Sequence, residues 1–239
     1  MFMINKIKSA LSYLTKPMPL SDFTDYDNYW ERRDKEHNPS PISRGIGVSN
    51  YIQPNSTILD VGCGDGMVIN YLQEHNSPKR LVGVDISHKM ISVLRSKGFE
   101  VYQLDITSSS FAEFLKNQRF DYIIITEVLE HIQESEKVML TVKNHFDKSL
   151  IVSVPNAGYY LNRIRFLFGK FPNVAIIYHI KEHIRFWTHG DFLYWCNYLG
   201  FKVVRFNNYI YAPSFMRHFG KYSVPLFGIQ PIYELKVKK

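Results

Sequence analysis

Short apolar runs alternate with segments of helical periodicity along most of this chain. Apolar runs of this length are typical of strands that are buried on both faces of a parallel sheet. Five such runs occupy residues 57–61, 81–85, 100–104, 120–125 and 149–154. Apolar positions three and four residues apart predict helices between them, at 67–74, 88–97 and 111–117. Strands and helices that alternate in this way predict an α/β fold.

The C-terminal part of the chain continues the pattern. A helix is predicted over 188–199, with Thr188 as its N-cap and Gly200 directly after its end. Two alternating runs, 201–206 and 230–237, predict a sixth and a seventh strand.

Three alternating glycines, Gly62, Gly64 and Gly66, follow the first predicted strand, and Asp60 lies two residues before the first of them. Glycine permits backbone angles closed to other residues and lets a ligand lie against the main chain. The helix that follows adds unpaired N–H groups, so the turn predicts a nucleotide-cofactor site at the carboxyl end of a strand. Dinucleotide folds use G-x-G-x-x-G, whereas Asp60 before G-x-G-x-G suits a cationic ligand and repels a diphosphate. A tight turn without a ligand is the alternative.

An acidic residue also ends the second predicted strand. Asp85 lies 21 positions after Gly64, the place from which a carboxylate accepts hydrogen bonds from ribose hydroxyls. Its alternative role is to cap the helix that begins near Ser87. A third acid, Asp105, follows the third strand and has the same alternative.

Together, Asp60, the glycine turn and the Asp85-Ile86 pair resemble the first two motifs of the class I S-adenosylmethionine (SAM)-dependent methyltransferases. The resemblance implies a Rossmann-like fold with helices on both faces of a seven-stranded, mostly parallel sheet whose last strand is antiparallel. It implies SAM as cofactor, with an ammonium and a sulfonium on its methionine moiety. By resemblance, Asp105 accepts from the adenine amino group and Arg44 pairs with the SAM carboxylate. The implied cofactor-binding residues are Arg44, Asp60, Gly62, Cys63, Gly64, Gly66, Asp85, Ile86, Asp105, Ile106 and Thr126.

The fourth predicted strand leads through Thr126 into the sequence Glu-Val-Leu-Glu-His at 127–131. If a helix starts near residue 127, then Glu127, Glu130 and His131 share one face and can bind one ion. Alternatively, the glutamates contact SAM and the protein, while His131 acts as a hydrogen bonder or as the general base.

The E-x-x-E-H pattern resembles two branches of the superfamily, the ubiquinone-biosynthesis O-methyltransferases and the small-RNA 3′-end 2′-O-methyltransferases. In the second branch the motif and a later histidine hold Mg²⁺ at the vicinal oxygens of the acceptor. His183 fits the later histidine best here, and His179 is second. A set of Glu127, Glu130, His131 and His183 leaves Mg²⁺, Mn²⁺, Fe²⁺ and Zn²⁺ open.

Residues 155–187 form an insertion rich in tyrosine and arginine. The Ser-Val-Pro-Asn strand end before it resembles methyltransferases of the methionine-biosynthesis W type and of bacterial surface-glycan loci. The implied substrate-binding residues are Tyr29, Tyr159, Arg163, His179 and His183, although a packed amphipathic helix over 158–171 with a solvated basic face is the alternative.

The whole chain is expected to form one methyltransferase domain. Residues 1–50 are expected to form an N-terminal helix and a lid, and 51–154 the SAM-binding core. The substrate-binding insertion occupies 155–187, and a C-terminal helix with a strand pair occupies 188–239.

The composition of the chain limits its cellular compartment and the kinds of partner that it can bind. The chain has 239 residues, a formal net charge of +7 and two cysteines. Cys63 lies inside the glycine turn, so a disulfide is not expected, and a reducing cytoplasm fits. No stretch reaches the ~18 apolar residues of a membrane span. The charge suits an anionic partner, whether a phosphorylated metabolite, a nucleic acid or a membrane surface.

These observations predict O-methylation of a small anionic or polyhydroxylated acceptor by in-line transfer to an oxygen activated by His131 or a metal. Sugars, nucleotide-sugars, phosphorylated metabolites and quinone precursors are the candidate acceptors, including those of a bacterial surface glycan. Methylation of RNA 3′-ends is an alternative that the charge allows, although no appended RNA-binding module is visible. A non-catalytic SAM-binding partner subunit is the third hypothesis.

Overall fold

A computed structural model describes residues 11–36, 43–207 and 224–238 of the chain. Residues 11–15 are helical, and the rest of the helix predicted over residues 4–14 lies outside the described residues. Most of the aromatic and basic stretch at 211–228 also lies outside them. In the described residues no helix is long and apolar enough to cross a membrane.

The described chain also contains seven strands and nine further helices, of which the last has a single turn. The strands are β1 (Thr57–Val61), β2 (Arg80–Asp85), β3 (Glu100–Gln103), β4 (Phe120–Thr126), β5 (Phe146–Ser153), β6 (Phe201–Asn207) and β7 (Ile232–Val237). The helices are α1 (Tyr26–Lys35), α2 (Ser43–Ser49), α3 (Met67–His75), α4 (His88–Ser96), α5 (Ser109–Leu115), α6 (Ser135–Val142), α7 (Tyr160–Leu167), α8 (His189–Tyr198) and α9 (Val224–Phe227). Short 3₁₀ turns cover Leu129–His131 and Ile180–Glu182.

The strands form one sheet in the order β3-β2-β1-β4-β5-β7-β6. The first five pair in parallel, and β7 is antiparallel to both β5 and β6. The predicted Rossmann-like class I methyltransferase fold is therefore confirmed. Because β1 lies at the centre, next to β2 and β4, the residues that follow these three strands meet at one edge of the sheet.

The core lies on both faces of the sheet, because neighbouring strand residues point to opposite sides. Leu59 and Val61 of β1 pack in one apolar cluster, and Ile58 packs in the other. Asp60 has the parity of Ile58 but stands near the carboxyl end of the strand, where it is 1% exposed. The strand therefore buries an acidic side chain at the edge where the glycine turn begins.

Two predicted helices differ from the structure. The helix predicted from residue 127 is wrong, because Glu127 has a left-handed φ of +55°, which interrupts a right-handed helix. A 3₁₀ turn over Leu129–His131 follows instead. The helix predicted over 158–171 is the shorter α7, and the chain turns at Gly169, where φ is +67°.

The N-terminal segment that contains α1 joins two distant parts of the fold. Asp27 of α1 accepts hydrogen bonds from the Ser87 hydroxyl (2.5 Å) and the Lys89 N–H (3.1 Å) at the start of α4. On the other side, the Ser21 N–H donates to the Tyr178 carbonyl at 2.8 Å. The segment thus lies across the edge of the sheet where β1, β2 and β4 end.

The glycine turn offers a test of its steric requirement. Gly66 has φ +75°, and an added Cβ would lie 2.2 Å from a Leu94 methyl, whereas Gly98 has φ +88° and open space. We expect Gly98→Ala to lower the free energy of unfolding by about 1–2 kcal/mol, the cost of a left-handed L-residue. Gly66→Ala should cost about 1–3 kcal/mol more, because it also overpacks the site.

Urea denaturation of both variants measures the difference. Equal losses for the two alanines would show that Leu94 moves away freely, and would contradict the steric argument.

Candidate active site

A cavity of about 680 Å³ opens at the carboxyl ends of β1, β2 and β4. The residues that the sequence predicted and that do line this cavity come from seven separate stretches of the chain. They are Tyr29, Arg44, Asp60, Gly62, Cys63, Gly64, Asp85, Ile86, Asp105, Ile106, Thr126, Glu127, Glu130, His131 and His183. A volume of this size is typical of a small-molecule site.

Asp60 is a buried carboxylate without a hydrogen-bond partner in the described residues. Burial, together with the nearby Asp85 carboxylate, raises the pKa of Asp60 to about 7. Arg44 acts in the opposite direction, because its positive charge lowers that pKa. An acid in this state has a strong requirement for a cationic or hydrogen-bond-donating ligand, since a buried polar group without a partner costs free energy.

The two other acids that follow or end strands, Asp85 and Asp105, differ in burial and in their hydrogen bonds. One Asp85 oxygen accepts from the Gly64 N–H, and the other accepts from the Ser87 N–H, both at 2.8 Å. Ser87, rather than Asp85, is the N-cap of α4, because its hydroxyl accepts from the Met90 N–H. Asp105 is exposed, and one of its oxygens accepts from the N–H and the hydroxyl of Thr107.

Large side chains pack directly on the glycine turn. A Cβ on Gly64 would lie 2.6 Å from the Trp30 indole, and a Cβ on Gly62 would lie 2.4 Å from a Val128 methyl. Trp30 belongs to α1, so the N-terminal segment covers the turn at close range. Gly66 does not line the cavity; its left-handed backbone instead starts α3.

Glu130, His131 and His183 form a compact group in the lining of the same cavity. Each offers one potential ligand atom, and these three atoms lie within 4.8 Å of one another. Glu130 is 1% exposed and both of its oxygens lack a hydrogen-bond partner in the described residues, as does Nδ1 of His183. The two imidazole rings meet edge to face, with centroids 4.7 Å apart.

Burial keeps this group uncharged in the absence of a cation. It raises the carboxyl pKa of Glu130 well above its usual range, with a further contribution from Glu127. It also lowers the pKa of His131 to about 4 and that of His183 to about 3. Both imidazoles are therefore neutral near pH 7, the form in which histidine ligates a metal.

Glu182, which the sequence did not indicate, orients His131. The Glu182 carbonyl oxygen lies 2.6 Å from Nδ1 of His131. Because a carbonyl oxygen only accepts, Nδ1 carries the proton and Nε2 keeps its lone pair. The Glu182 carboxylate accepts backbone N–H groups of Ile177, Tyr178 and His179, and so folds the loop that supplies this carbonyl.

Glu127 stands apart from the three-residue group, contrary to the expectation that one helix face unites it with Glu130 and His131. Its left-handed backbone directs the carboxylate to the Ser153 hydroxyl (2.8 Å) and to the amide of Gln230. Neither partner was recognisable from sequence, because Ser153 ends β5 and Gln230 precedes β7, both far along the chain. Ala175, which also lines the cavity, shares the left-handed backbone with φ +57°.

Three of the predicted substrate residues lie outside the cavity lining. Nδ1 of His179 accepts from the Lys181 N–H and caps a 3₁₀ turn. Arg163 donates to the Gly158 carbonyl at 2.6 Å, and the Tyr159 ring packs on Tyr160. Tyr159 and Arg163 lie at the start of α7 and in its first turn, and His179 precedes the 3₁₀ turn. The insertion lines the cavity instead with Ala175, Ile177, Glu182 and His183.

Solved structures share this fold over nearly the whole chain. A SAM-dependent methyltransferase from Archaeoglobus fulgidus has a TM-score of 0.63 and 18% identity, over 89% of this chain and 100% of its own. The CcbJ methyltransferase from Streptomyces caelestis has a TM-score of 0.64 and 14% identity, over 91% and 100%. At these identities the likeness shows the fold.

The sheet order, the glycine turn and the strand-end acids define a class I SAM-dependent methyltransferase. The family model described as methionine biosynthesis protein MetW matches residues 46–235. The chain belongs to the MetW family.

Curated relatives match about half of this chain. The bifunctional methionine biosynthesis protein MetXA/MetW of Rhodopirellula baltica is 29% identical over 51% of this chain and 20% of its own length. The ubiquinone biosynthesis O-methyltransferase of Coxiella burnetii is 30% identical, over 50% and 53%. The chain therefore spans between a fifth and about half of the length of these two relatives.

The pKa of Asp60 predicts a pH-dependent cost in the ligand-free protein. Its folded pKa of about 7 lies above the ordinary value of 3.8, so ionisation favours unfolding as pH rises between these values and the cost stays constant above them. We expect Asp60→Asn to be more stable than the wild type, by a margin that grows from pH ~4 to ~7.

Asp121→Asn is the matched control of opposite sign, because hydrogen bonds from Thr57 and the Lys148 cation lower the pKa of Asp121 despite a desolvation cost. It should be less stable than the wild type at neutral pH. Urea denaturation across this pH range measures both margins, and a pH-independent Asp60→Asn margin would contradict the assignment.

Proposed function

We propose that this protein transfers the methyl group of SAM to a hydroxyl oxygen of a small polar acceptor, beside a divalent cation held by Glu130, His131 and His183. The observation that carries the proposal is that unpartnered buried donors and acceptors from two sets of residues meet in one cavity. Asp60 belongs to the first set, and Glu130 with His183 belongs to the second.

The first set fits SAM. Asp60 presents a carboxylate without a partner, which suits the cofactor's ammonium, and Arg44 beside it suits the cofactor's carboxylate. Gly62 and Gly64 of the glycine turn line the cavity, so a ligand in it can lie against their main chain. Asp85 lies at the end of β2, the place of a ribose-binding acid. When bound, SAM supplies an electrophilic methyl on a sulfonium.

The second set fits a cation better than it fits a free general base. With a pKa of about 4, His131 is a weak base near neutral pH. A metal-ligating histidine typically donates its other ring N–H to a backbone carbonyl or a carboxylate, and the Glu182 carbonyl accepts in this way. Two neutral imidazoles do not balance the charge of the buried Glu130 carboxylate. A divalent ion bound between the three groups would balance it.

Two imidazoles and one carboxylate favour Zn²⁺ or Fe²⁺ over Mg²⁺, since imidazole nitrogen ligands suit Zn²⁺ and Fe²⁺. Ligands around one zinc ion lie about 3.4 Å apart in a tetrahedron, so the three atoms, now within 4.8 Å of one another, need a closure of about 1 Å. A bound divalent ion lowers the pKa of a coordinated hydroxyl.

The acceptor side of the cavity indicates a small polar substrate. Gln133, Glu134 and Gln230 line it with polar atoms, while Ile132 and Ile177 add apolar surface. The residues of the chain then orient the acceptor hydroxyl toward the cofactor half and exclude water, with Tyr26 and Tyr29 of α1 covering the cavity. Sugars, phosphorylated metabolites and catechol-like quinone precursors offer the vicinal oxygens that such a site can bind.

Calorimetry with S-adenosylhomocysteine tests the cofactor assignment. We expect Asp60→Asn and Asp85→Ala each to weaken binding by about 10- to 100-fold, because each removes a charge-assisted hydrogen bond. Asp121→Asn is the matched control, since Asp121 is an acid of β4 outside the cavity lining, and should bind as the wild type does. Undiminished affinity in Asp85→Ala would remove the ribose assignment.

Anomalous diffraction from crystals soaked in Mn²⁺ or Zn²⁺ tests the metal. We expect a peak between Glu130, His131 and His183 that disappears in Glu130→Gln, which removes the one charged ligand. Glu127→Gln should keep the peak, because the Glu127 carboxylate is engaged by Ser153 and Gln230. Loss of the peak in Glu127→Gln would show that Glu127 is a fourth ligand. A wild-type crystal without a peak would contradict the metal site and would leave His131 as the only group to activate the hydroxyl.

A further inference from the structure

An exposed apolar tip, residues 166–168, ends α7 on the surface of the insertion. Phe166, Leu167 and Phe168 are consecutive, and 56%, 83% and 73% of their surfaces are exposed. The chain then turns at Gly169, and the Phe171 ring returns to the Phe166 ring, with centroids 5.8 Å apart. None of these side chains lines the cavity, and clustered exposed apolar side chains mark an interaction site.

The tip stands on a fixed base. Arg165 is 1% exposed, and its guanidinium donates to the carbonyl oxygens of Phe171 (2.9 Å), Lys16 (2.9 Å) and Tyr13 (2.5 Å). The Tyr13 hydroxyl donates in turn to the Asn173 carbonyl at 2.7 Å. This buried network ties the end of α7 to residues 13–16, so the exposed side chains project from an anchored backbone.

Basic side chains surround the tip. Residues 156–187 include five lysines and arginines but one acidic residue, Glu182, which is buried. Arg163 and Lys170 flank the tip in sequence, and the buried Arg165 holds the Lys16 carbonyl. Arg163 and Lys170 donate to the carbonyls of Gly158 and Thr15, and none of the ion pairs among the described residues involves the three cations. Arg163 precedes Leu167 by four residues, on the same side of α7.

We propose that the 166–168 tip inserts into the headgroup region of an anionic lipid bilayer, with Lys16, Arg163 and Lys170 against the lipid phosphates. Exposed aromatic and leucine side chains combined with basic residues are the pattern of interfacial membrane binding. Lysine and arginine at such a site keep their charged ends at the phosphates while their alkyl stems lie along apolar surface. The apolar tip and the basic cluster act together, since interfacial binding strengthens with buried apolar area and with electrostatic attraction to anionic lipids.

The shape of the tip favours a bilayer over a protein surface. Consecutive residues at a helix end point in directions about 100° apart, so one protein face contacts only part of the tip, whereas lipid surrounds all of it. A second copy of this chain would also bring its own Lys16, Arg163 and Lys170 against the same cations. Like charges in such a contact repel.

Membrane binding would bring the cavity close to the bilayer. The insertion that carries the tip lines the cavity through Ala175 and Ile177. Phe171 and Phe186 have ring centroids 5.3 Å apart, and the Phe186 ring lies 6.3 Å from that of His183. A continuous set of aromatic rings therefore connects the tip with the Glu130, His131 and His183 group. The proposal itself does not depend on the chemistry at that group.

Vesicle flotation of the full, tag-free chain tests the proposal. We expect binding to phosphatidylcholine vesicles that contain about 30% phosphatidylglycerol, no binding to pure phosphatidylcholine, and release at high salt. The double variant Leu167→Ser/Phe168→Ser should bind at least about tenfold more weakly. The control Tyr198→Ser removes an aromatic side chain that is 75% exposed on α8, and should bind as the wild type does.

Two results would overturn the proposal. The first is that the wild type fails to float with anionic vesicles, or that the double variant, shown to be folded by its unfolding transition, floats equally well. The second is that the wild type forms concentration-dependent dimers that the double variant lacks, without vesicle binding, which would assign the tip to contact between two copies.

Discussion

Buried carboxylates without partners are the constraint on which this site depends. Asp60 and Glu130 are each 1% exposed and lack a hydrogen-bond partner in the described residues. An isolated charge in such a place is costly, so each group stays largely protonated or acquires positive charge from a ligand. The sheet holds Asp60 through the pairing of β1 with β2 and β4, and the turn after β4 holds Glu130. A bound ligand therefore supplies the positive charge or the hydrogen-bond donors that Asp60 and Glu130 do not receive from the protein.

The two halves of the cavity are built by different means. The cofactor half follows from the sheet, because parallel strands in adjacent positions deliver Asp60, Asp85 and Thr126 to one edge. The acceptor half follows from loops, in which Glu182 folds residues 177–182 and fixes the tautomer of His131. A rigid cofactor site beside a loop-built acceptor site is the arrangement that lets one fold serve many acceptors.

The same division explains what the sequence could predict. The strands and the glycine turn followed from local patterns, since apolar runs and glycines act within a few residues of themselves. The mostly parallel sheet with an antiparallel last strand followed from the resemblance to the methyltransferases. The turn after Thr126 followed from neither, because its left-handed Glu127 is set by Ser153 and Gln230, which come from β5 and the approach to β7. Tyr159, Arg163 and His179 lie outside the cavity lining for a related reason. Composition shows that the insertion is aromatic and basic, but only packing decides which side chains line a cavity.

The N-terminal segment connects both halves, and its contacts differ in strength. Toward the cofactor half, Asp27 accepts two hydrogen bonds at the start of α4, and Trp30 packs on Gly64. Toward the insertion, the Asp22–Lys181 ion pair is exposed, and pairs of this kind contribute about 0–1 kcal/mol. The stronger contacts on that side are buried, because Arg165 donates to the carbonyl oxygens of Tyr13 and Lys16, and the Ser21 N–H donates to the Tyr178 carbonyl. The segment is therefore held at both ends across the cavity, and the exposed ion pair adds little to that attachment.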